Sequence, residues 1–381
     1  MSDYNETRVL IFSVTYFPFV GGAEVALAEI TKRIPDTHFD LITAKISKNL
    51  PDTETVDNLT IRRVGNGSRL DKLLYLLRAF FLAKKLNKEK KYNLTWAMLA
   101  TWAGIAALIF KMFNPKIKYL LTLQSGDSDM FMRLRTWFWY PIYRLVYTKA
   151  NHIQVISKWL ERRARSYGYK GSISLIPNGV DLKKYEQVKF IDKEKIKSKL
   201  NIPHGNKVIF SSSRLVEKND MESLIRSIKQ VNISVSLVIA GSGKLDSHLR
   251  NLVSELALDQ NVIFLGTVSR DQVIDYYAAS DIFVRPSLSE GQGISFIEAM
   301  AAGVPVIATP VGGIPDFLSD GKTGLFCKVK NPDNLAKKIA ILLEDEDLYS
   351  KIQKNSLELV RQKYDWDSIA IQMSKIIKNN D

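Results

Sequence analysis

Apolar residues run along this chain in short dense blocks separated by amphipathic stretches, and the alternation repeats from end to end. "RVLIFSVTYF" (8–17) is a β-branched and aromatic run that predicts a buried strand, and "GAEVALAEITKRI" (22–34) carries apolar positions at helical spacing. Further strands are expected at "FDLITA", "KYLLTLQ", "HIQVIS" and "SISLIPN", with helical segments between them. The second half repeats the pattern, with strands at "KVIFSSS", "VSLVIAGSG", "VIFLGTV" and "DIFVRPS" and helices at "ESLIRSIKQV", "LDSHLRNLVSEL" and "RDQVIDYYAAS". Alternating strand and helix predicts α/β architecture: two doubly wound, Rossmann-like parallel sheets with helices on both faces. The join is placed in the charged, strand-free segment near 182–200. The expected domains are 1–185 and 186–361, with a final helix, 362–381, returning to the first. Residues 92–110 hold no charge and are long enough to cross a bilayer. Asn93, Thr95, Thr101 and Gly104 interrupt them, and a buried strand followed by a helix fits the alternation better.

The most informative stretch is "SLSEGQGISFIEAMAAGVPVIATPVGG" (287–313). It reads as a strand end, a glycine-bearing loop, a helix over 294–303 and the next strand. Such a loop lies at the carboxyl end of a parallel strand, where open α/β sheets bind ligands. The first-turn N–H groups around Gly293 to Phe296, with the helix dipole, favour an anion such as phosphate. Gly291 and Gly293 let the backbone approach closely. Glu290 in the loop and Glu298 in the helix add two carboxylates, which accept hydrogen bonds from paired hydroxyls. Hydroxyls beside phosphates describe a nucleotide sugar.

Charge changes the picture by its distribution. Residues 1–200 hold 34 Lys and Arg against 18 Asp and Glu, whereas 201–381 hold 20 against 22, within a total of +14. The basic first half points to an anionic partner: a phosphorylated acceptor, a lipid surface or nucleic acid. The single cysteine, Cys327, excludes an intramolecular disulfide and reads as a buried thiol in a reducing compartment. No signal peptide is visible in the first residues.

The Glu-x7-Glu pattern of Glu290 and Glu298, set in "PSLSEGQGISFIEAMAAGVPVIATPVGGIPDFL…GKTGLF", resembles the donor site of the retaining glycosyltransferases of family four, which have the GT-B fold. The resemblance extends to "YFPFVGGAEVALAEI" (16–30), "LIPNGVDLKKY" (175–185), "SSSRLVEKND" (211–220), "VIAGSGKLDSHL" and "LGTVSRDQVIDYYAASDIFVRPS" in the same order, and is fainter over 40–150. It implies two domains facing a cleft and transfer of a hexose-type sugar from a nucleoside diphosphate with retention. Glu298 would bind ribose hydroxyls, and Glu290 would hold a donor-sugar hydroxyl and stabilise positive charge. Gly293, Ile294 and Ser295 would face sugar and phosphates, with Val268 also in the donor set. Arg214 would meet the diphosphate as a fixed cation, and Gly21 and Gly22 would admit it against the first helix.

The chain departs from the family in places. The usual lysine five residues after the arginine is Asn219 here, so Lys218 is expected to supply the second cation. A histidine common at the end of "LLTLQSGD" is replaced by Gln124, and Gln124 and Asp127 are the acceptor-side candidates. Gln292 stands where an aromatic or apolar residue is common. "DSD" (127–129) spells a metal-binding triplet of another fold and is assigned no metal; no cofactor is expected. The alternatives are a nucleotide-sugar epimerase of the same fold and a basic anion- or nucleic-acid-binding protein. "AGSGK" (240–244) lacks a full dinucleotide fingerprint, and no nucleic acid is expected as partner. "SRLDKLLYLLRAFFLAKKLNKEKK" (68–91) and "MFMRLRTWFWYPIYRLVYTK" (130–149) mix basic with large apolar residues. They predict an anionic membrane surface as partner, a lipid-linked or glycan acceptor, and a cytoplasmic protein peripheral at the inner face of the cell membrane.

Overall fold

β1 (Thr7–Phe12) ends in four wholly buried apolar residues, as a strand covered on both faces requires. It starts a computed structural model that describes residues 7–19, 21–68 and 70–378, the side chains of Arg133 and Arg135 excepted. The chain continues through α1 (Gly22–Lys32), β2 (Thr37–Ala44), β3 (Thr53–Val56), β4 (Leu59–Val64), α2 (Asp71–Lys90), β5 (Leu94–Met98) and α3 (Trp102–Phe113). Next come β6 (Lys118–Leu123), α4 (Asp129–Thr136), α5 (Tyr140–Thr148), β7 (His152–Val155), α6 (Lys158–Ser166) and β8 (Ser172–Leu175). The eight strands lie in the order β3-β4-β2-β1-β5-β6-β7-β8, parallel except for β3. Residues 92–110 are thus β5 and most of α3, and among the described residues no helix is long and apolar enough to cross a membrane. The hairpin β3–β4 was not foreseen; β3 is an exposed, polar edge without a strand's usual apolar run.

The second sheet follows α7 (Leu182–Tyr185) and α8 (Lys193–Lys199). Its elements are β9 (Lys207–Ser212), α9 (Met221–Ile228), β10 (Val235–Ala240), α10 (Asp246–Glu255), β11 (Val262–Gly266), α11 (Val273–Ala279) and β12 (Ile282–Arg285). α12 (Ile294–Ala301), β13 (Val306–Ala308), β14 (Leu325–Phe326), α13 (Pro332–Glu344), α14 (Glu346–Lys363) and α15 (Trp366–Lys378) complete the chain. The six strands are all parallel, ordered β11-β10-β9-β12-β13-β14. β10, "VSLVIA", is buried at every position because helices cover both faces.

The chain divides into Met1–Asn178 with Trp366–Asp381, and Gly179–Asp365. These seams lie a few residues from the 185/186 and 361/362 boundaries drawn from sequence. Val180 bridges to Asp365 and donates to the carbonyl of Tyr364 (2.7 Å), which draws both crossing strands into the second unit. α15 buries Trp366, Ile369, Ala370, Met373 and Ile377 beside α1, and Arg33 and Asp36 bind its Asp367 and Lys378. In the first sheet α2, α3, α5 and α6 cover one face, with α1 and α15 on the other. Cys327 is buried, and burial pushes its thiol up to about 12.

The order of winding reverses between β1 and β5 in one sheet and between β9 and β12 in the other. Crevices at the carboxyl ends of strands beside such switch points are where open α/β sheets take ligands.

Candidate functional site

Two loops leave the second switch point, one after β9 and one after β12. The first carries Arg214, which is exposed, and Lys218 in a single tight turn, Glu217–Asn219. Asn219 is buried, and its Nδ2 donates to the carbonyl of Arg214 at 2.7 Å, so it fixes the loop that carries the cation. The backbone of Leu288, in the second loop, donates to the carbonyl of Lys218 at 2.7 Å and ties the two loops together. Each loop also rests on a glycine that follows a neighbouring strand, Gly241 after β10 and Gly312 after β13. A Cβ on Gly241 would fall 1.8 Å from the Ser213 carbonyl oxygen, and one on Gly312 would fall 1.8 Å from that of Glu290.

In the second loop Gly293 caps α12 at φ +85° without a side-chain hydrogen bond. The helix therefore presents the N–H groups of Ile294 and Ser295 at its positive end, an arrangement that favours anions. Glu290 lies beside this end, but its carboxylate is already engaged. Oε2 accepts from Arg285 Nη2 at 2.5 Å, and Oε1 accepts from the Gly291 N–H at 2.9 Å. Glu298 lies within 3.2 Å of the Tyr277 hydroxyl, which is also 3.0 Å from the Ser295 carbonyl, and it is hydrogen-bonded by Tyr185. Burial raises the Glu298 carboxyl above the ordinary value despite Arg270, Lys184 and the two tyrosines. Burial, with Glu298 beside them, pushes both tyrosine hydroxyls well above theirs, so each remains a donor. Val268 packs against the core under α12 in the loop that carries Arg270. Lys184 holds that loop through the Arg270 carbonyl (3.1 Å) and Asp271 (2.5 Å).

The structure thus brings Arg214, Lys218, Glu290, Gly293, Ile294 and Ser295 onto two tied loops and one helix end, with Glu298 on the same helix. Arg285, Tyr185, Tyr277 and Gly312 were not singled out from sequence. Only the spelling "VRPS", a charge closing an apolar strand, hinted at Arg285.

In the first unit Gly21 caps α1 with extended backbone and accepts from Val25 N–H at 3.1 Å. Gly22 begins the helix. Glu24, in the same turn, is buried, takes the Thr15 hydroxyl at 2.5 Å, and sets a carboxylate at this helix end. Gln124 and Asp127 follow β6. Gln124 Oε1 accepts from Asn178 at 3.1 Å, and Asp127 Oδ2 accepts from Ser125 at 3.1 Å. Buried Arg163 binds Asp129 (2.6 Å) and the carbonyls of Ser125 (3.3 Å) and Asp127, fixing this loop. All three "DSD" side chains are therefore engaged within the fold, since Ser128 also caps α4. No group of three or more His, Cys, Asp or Glu that could hold a metal occurs among the described residues. Asp127 borders a cavity of about 140 Å³ whose other walls include Trp102, Ile105, Met132 and Trp139.

The two stretches read as membrane-facing are mixed. α2 turns small residues inward (Ala79 and Ala83, with Tyr75 and Leu86) and leaves Leu73, Leu74, Leu77 and Phe81 exposed. Around α4 and α5, Met130, Leu134, Trp137 (73%) and Phe138 (75%) are exposed. Tyr143 and Tyr147 correct the sequence reading: both are buried, in a cluster with Tyr167, and offer nothing to a surface. Arg69 and the side chains of Arg133 and Arg135 lie outside the described residues.

Residues 20–184 match the model of Glycosyltransferase Family 4, and residues 192–359 match that of Glycosyl transferases group 1. An uncharacterized glycosyltransferase of Methanocaldococcus jannaschii is 31% identical over 94% of this chain and 94% of its own. The alpha-monoglucosyldiacylglycerol synthase of Streptococcus pneumoniae is 31% identical over 83% of this chain and 74% of its own. Among solved structures, sucrose-phosphate synthase from Thermosynechococcus elongatus superposes with a TM-score of 0.84 at 23% identity, covering 97% of this chain and 98% of that one. Anabaena HepE in complex with UDP-glucose gives 0.80 at 20% identity over 97% and 99%.

Proposed function

The chain belongs to glycosyltransferase family four and has the GT-B fold, and we propose that it moves a hexosyl group from a nucleoside-diphosphate sugar to a lipid-linked or cell-envelope acceptor with retention at the anomeric carbon. The observation that carries this reading is the pairing of the α12 helix end with Glu290 and Glu298, beside the loop of Arg214 and Lys218. In it the diphosphate meets the N–H groups of Gly293, Ile294 and Ser295, with Arg214 and Lys218 as cations. These charges offset the leaving group, so no metal is needed. Glu298 takes the ribose hydroxyls, Glu290 takes a hydroxyl of the sugar, and Val268 belongs to the donor set. The departing phosphate accepts the acceptor's proton, and no enzyme nucleophile takes part. A donor of this kind is supported by the HepE complex with UDP-glucose.

A lipid acceptor is supported by the product named for the pneumococcal relative, a glucosyldiacylglycerol. It is further supported by the exposed apolar residues of α2, α4 and α5 and by the apolar cavity that the acceptor-side candidate Asp127 borders. Lys72, Lys84, Lys85 and Lys88 add basic charge to the α2 surface, which suits an anionic bilayer. The protein then works as a peripheral protein at the cytoplasmic face of the membrane.

The test is a thermal-shift screen of nucleotide sugars, followed by transfer assays on those that bind. A ligand at a hundred times its dissociation constant adds about 2.7 kcal/mol. Nucleoside diphosphate released only when acceptor is present, with an axial or equatorial product matching the donor by NMR, supports retaining transfer. An inverted product refutes retention, and conversion of the sugar without acceptor identifies an epimerase. Arg214→Ala lowers turnover steeply, since one preorganised charge at a transition state contributes roughly 3–4 kcal/mol. Wild-type turnover in that variant removes the assignment.

A further inference from the structure

Arg285 closes β12, a central strand with every other side chain buried, and is itself only 5% exposed. A guanidinium in such a place costs free energy unless its donors are satisfied, and here they are satisfied by the donor loop itself. Nε donates to Ser287 Oγ at 3.1 Å; Nη1 donates to Ser295 Oγ at 2.7 Å and reaches the Ser212 carbonyl at 3.4 Å. Nη2 donates to Glu290 Oε2 at 2.5 Å. The guanidinium carbon stands 4.3 Å from the centre of the Phe296 ring, and a Cβ on Gly293 would fall 2.7 Å from Nη2. One side chain therefore touches the end of β9, the start of the loop, Glu290 and the first turn of α12.

We propose that Arg285 is the positioning residue for Glu290: it fixes the carboxylate toward the donor sugar and so sets the rate of transfer rather than the affinity for nucleotide. This rests on the donor-site reading of Glu290. The geometry leaves Glu290 little freedom. One oxygen is held by Arg285 and the other by the Gly291 N–H, so the carboxylate group is fixed in position and in plane with one lone pair left on each oxygen. A sugar hydroxyl meeting those lone pairs finds them already oriented, with no rotamer entropy left to lose. The pairing also offsets a negative charge beside a site that must admit a diphosphate. In that reading the nucleoside diphosphate meets the N–H groups of α12 rather than the Glu290 carboxylate, so its affinity, read beside kcat, separates a change confined to Glu290 from one that disturbs the whole helix end that Arg285 also touches through Ser295.

The experiment is a double-mutant cycle on the full chain, read as kcat, donor KM and affinity for the nucleoside diphosphate. With Arg285→Met, kcat falls about 100-fold, the loss typical of a misplacement near 1 Å, while KM and diphosphate affinity stay within about threefold. Arg285→Lys, which keeps the charge and one contact, recovers part of that loss. Arg285→Met in a Glu290→Gln background lowers kcat no further than Glu290→Gln alone. Independent, multiplying losses, or a fall in diphosphate affinity matching the fall in kcat, would show a merely structural arginine and overturn the proposal. If Arg285→Met does not fold, Arg285→Lys and its double variant with Glu290→Gln carry the same comparison. Wild-type turnover in Glu290→Gln alone would instead remove the donor-site reading. A slow Glu290→Gln beside an unimpaired Arg285→Met would defeat this inference and leave that reading standing.

Discussion

Replacing Gly312 by alanine puts a methyl group where a neighbouring backbone already lies. A Cβ at Gly312 falls 1.8 Å from the carbonyl oxygen of Glu290, and ordinary contact begins near 3.4 Å, so the two segments must part by about 1.6 Å. Gly312 also sits at φ +57°, where an alanine loses roughly 1–2 kcal/mol. Parting the segments breaks the hydrogen bond from Gly313 N–H to the Glu290 carbonyl (3.1 Å), worth about 1 kcal/mol net. The sum, about 2–3 kcal/mol, lowers the melting temperature by roughly 5–10 °C for a domain of this size. Turnover suffers more, because moving Glu290 by more than 1 Å costs about 100-fold. Gly205→Ala is the control: it has φ +87° but nothing within 4 Å, so it pays the strain alone and leaves turnover unchanged. Calorimetry and initial rates of transfer on both variants decide the matter. If Gly312→Ala transfers at the wild-type rate, or Gly205→Ala slows transfer equally, the buttressing argument is refuted.

Other expectations follow from the same geometry. Burial holds the Glu298 carboxyl above its ordinary value. The stability tied to its protonation is therefore full below the unfolded value, about 4.3, and is lost as pH rises through the folded one. Glu298→Gln should melt higher than wild type at pH 8, with the gap closing toward pH 4, yet bind nucleoside diphosphate more weakly; equal melting at both pH values contradicts it. Lys218→Ala should weaken diphosphate binding at unchanged melting temperature. Asn219→Ala should lower both, since it strands the buried contact to the Arg214 carbonyl at a cost of about 1–3 kcal/mol. Binding isotherms and melting curves that fail to separate the two variants would deny Lys218 its role. Trp137→Ser with Phe138→Ser should abolish flotation with anionic vesicles at low salt without changing donor hydrolysis. Flotation that survives those changes would move the membrane contact elsewhere.

Much of the fold was legible because parallel strands covered on both faces are written as nearly continuous apolar runs, as in β1, β10 and β12. The β12 loop was legible for a related reason: a strand, two glycines and a helix leave few places for Glu290 to go. Where position depends on partners distant in sequence, the pattern misleads. By size alone Leu73, Leu77 and Phe81 are the natural core residues of α2, yet all three are exposed. The core stripe is instead built on Ala79 and Ala83, which face a cluster containing Ala103, Ala106 and Ala107 of α3. Two helices that pack through alanines approach closely and leave their bulky residues outside. Tyr143 and Tyr147 show the converse, since a helix read as surface-bound turns its tyrosines onto Tyr167.

The donor loop itself contains the sharpest case. Spacing assigns Glu290 and Glu298 equal weight, yet their surroundings differ in kind. Glu298 keeps its carboxyl among tyrosine hydroxyls that stay protonated, in a setting where burial outweighs two nearby cations. Glu290 is instead paired at 2.5 Å with a buried guanidinium whose other partners come from residues 212, 287 and 295. No local pattern gives Arg285 its full set of partners, because Ser212 joins Ser287, Glu290 and Ser295 around it only when β9 and β12 lie side by side. A Glu-x7-Glu match therefore locates the ligand, while the strand neighbours decide what each carboxylate can do there. That division of labour explains why single changes at Gly312, Asn219 and Arg285, none of which belongs to the motif, are expected to reach the chemistry.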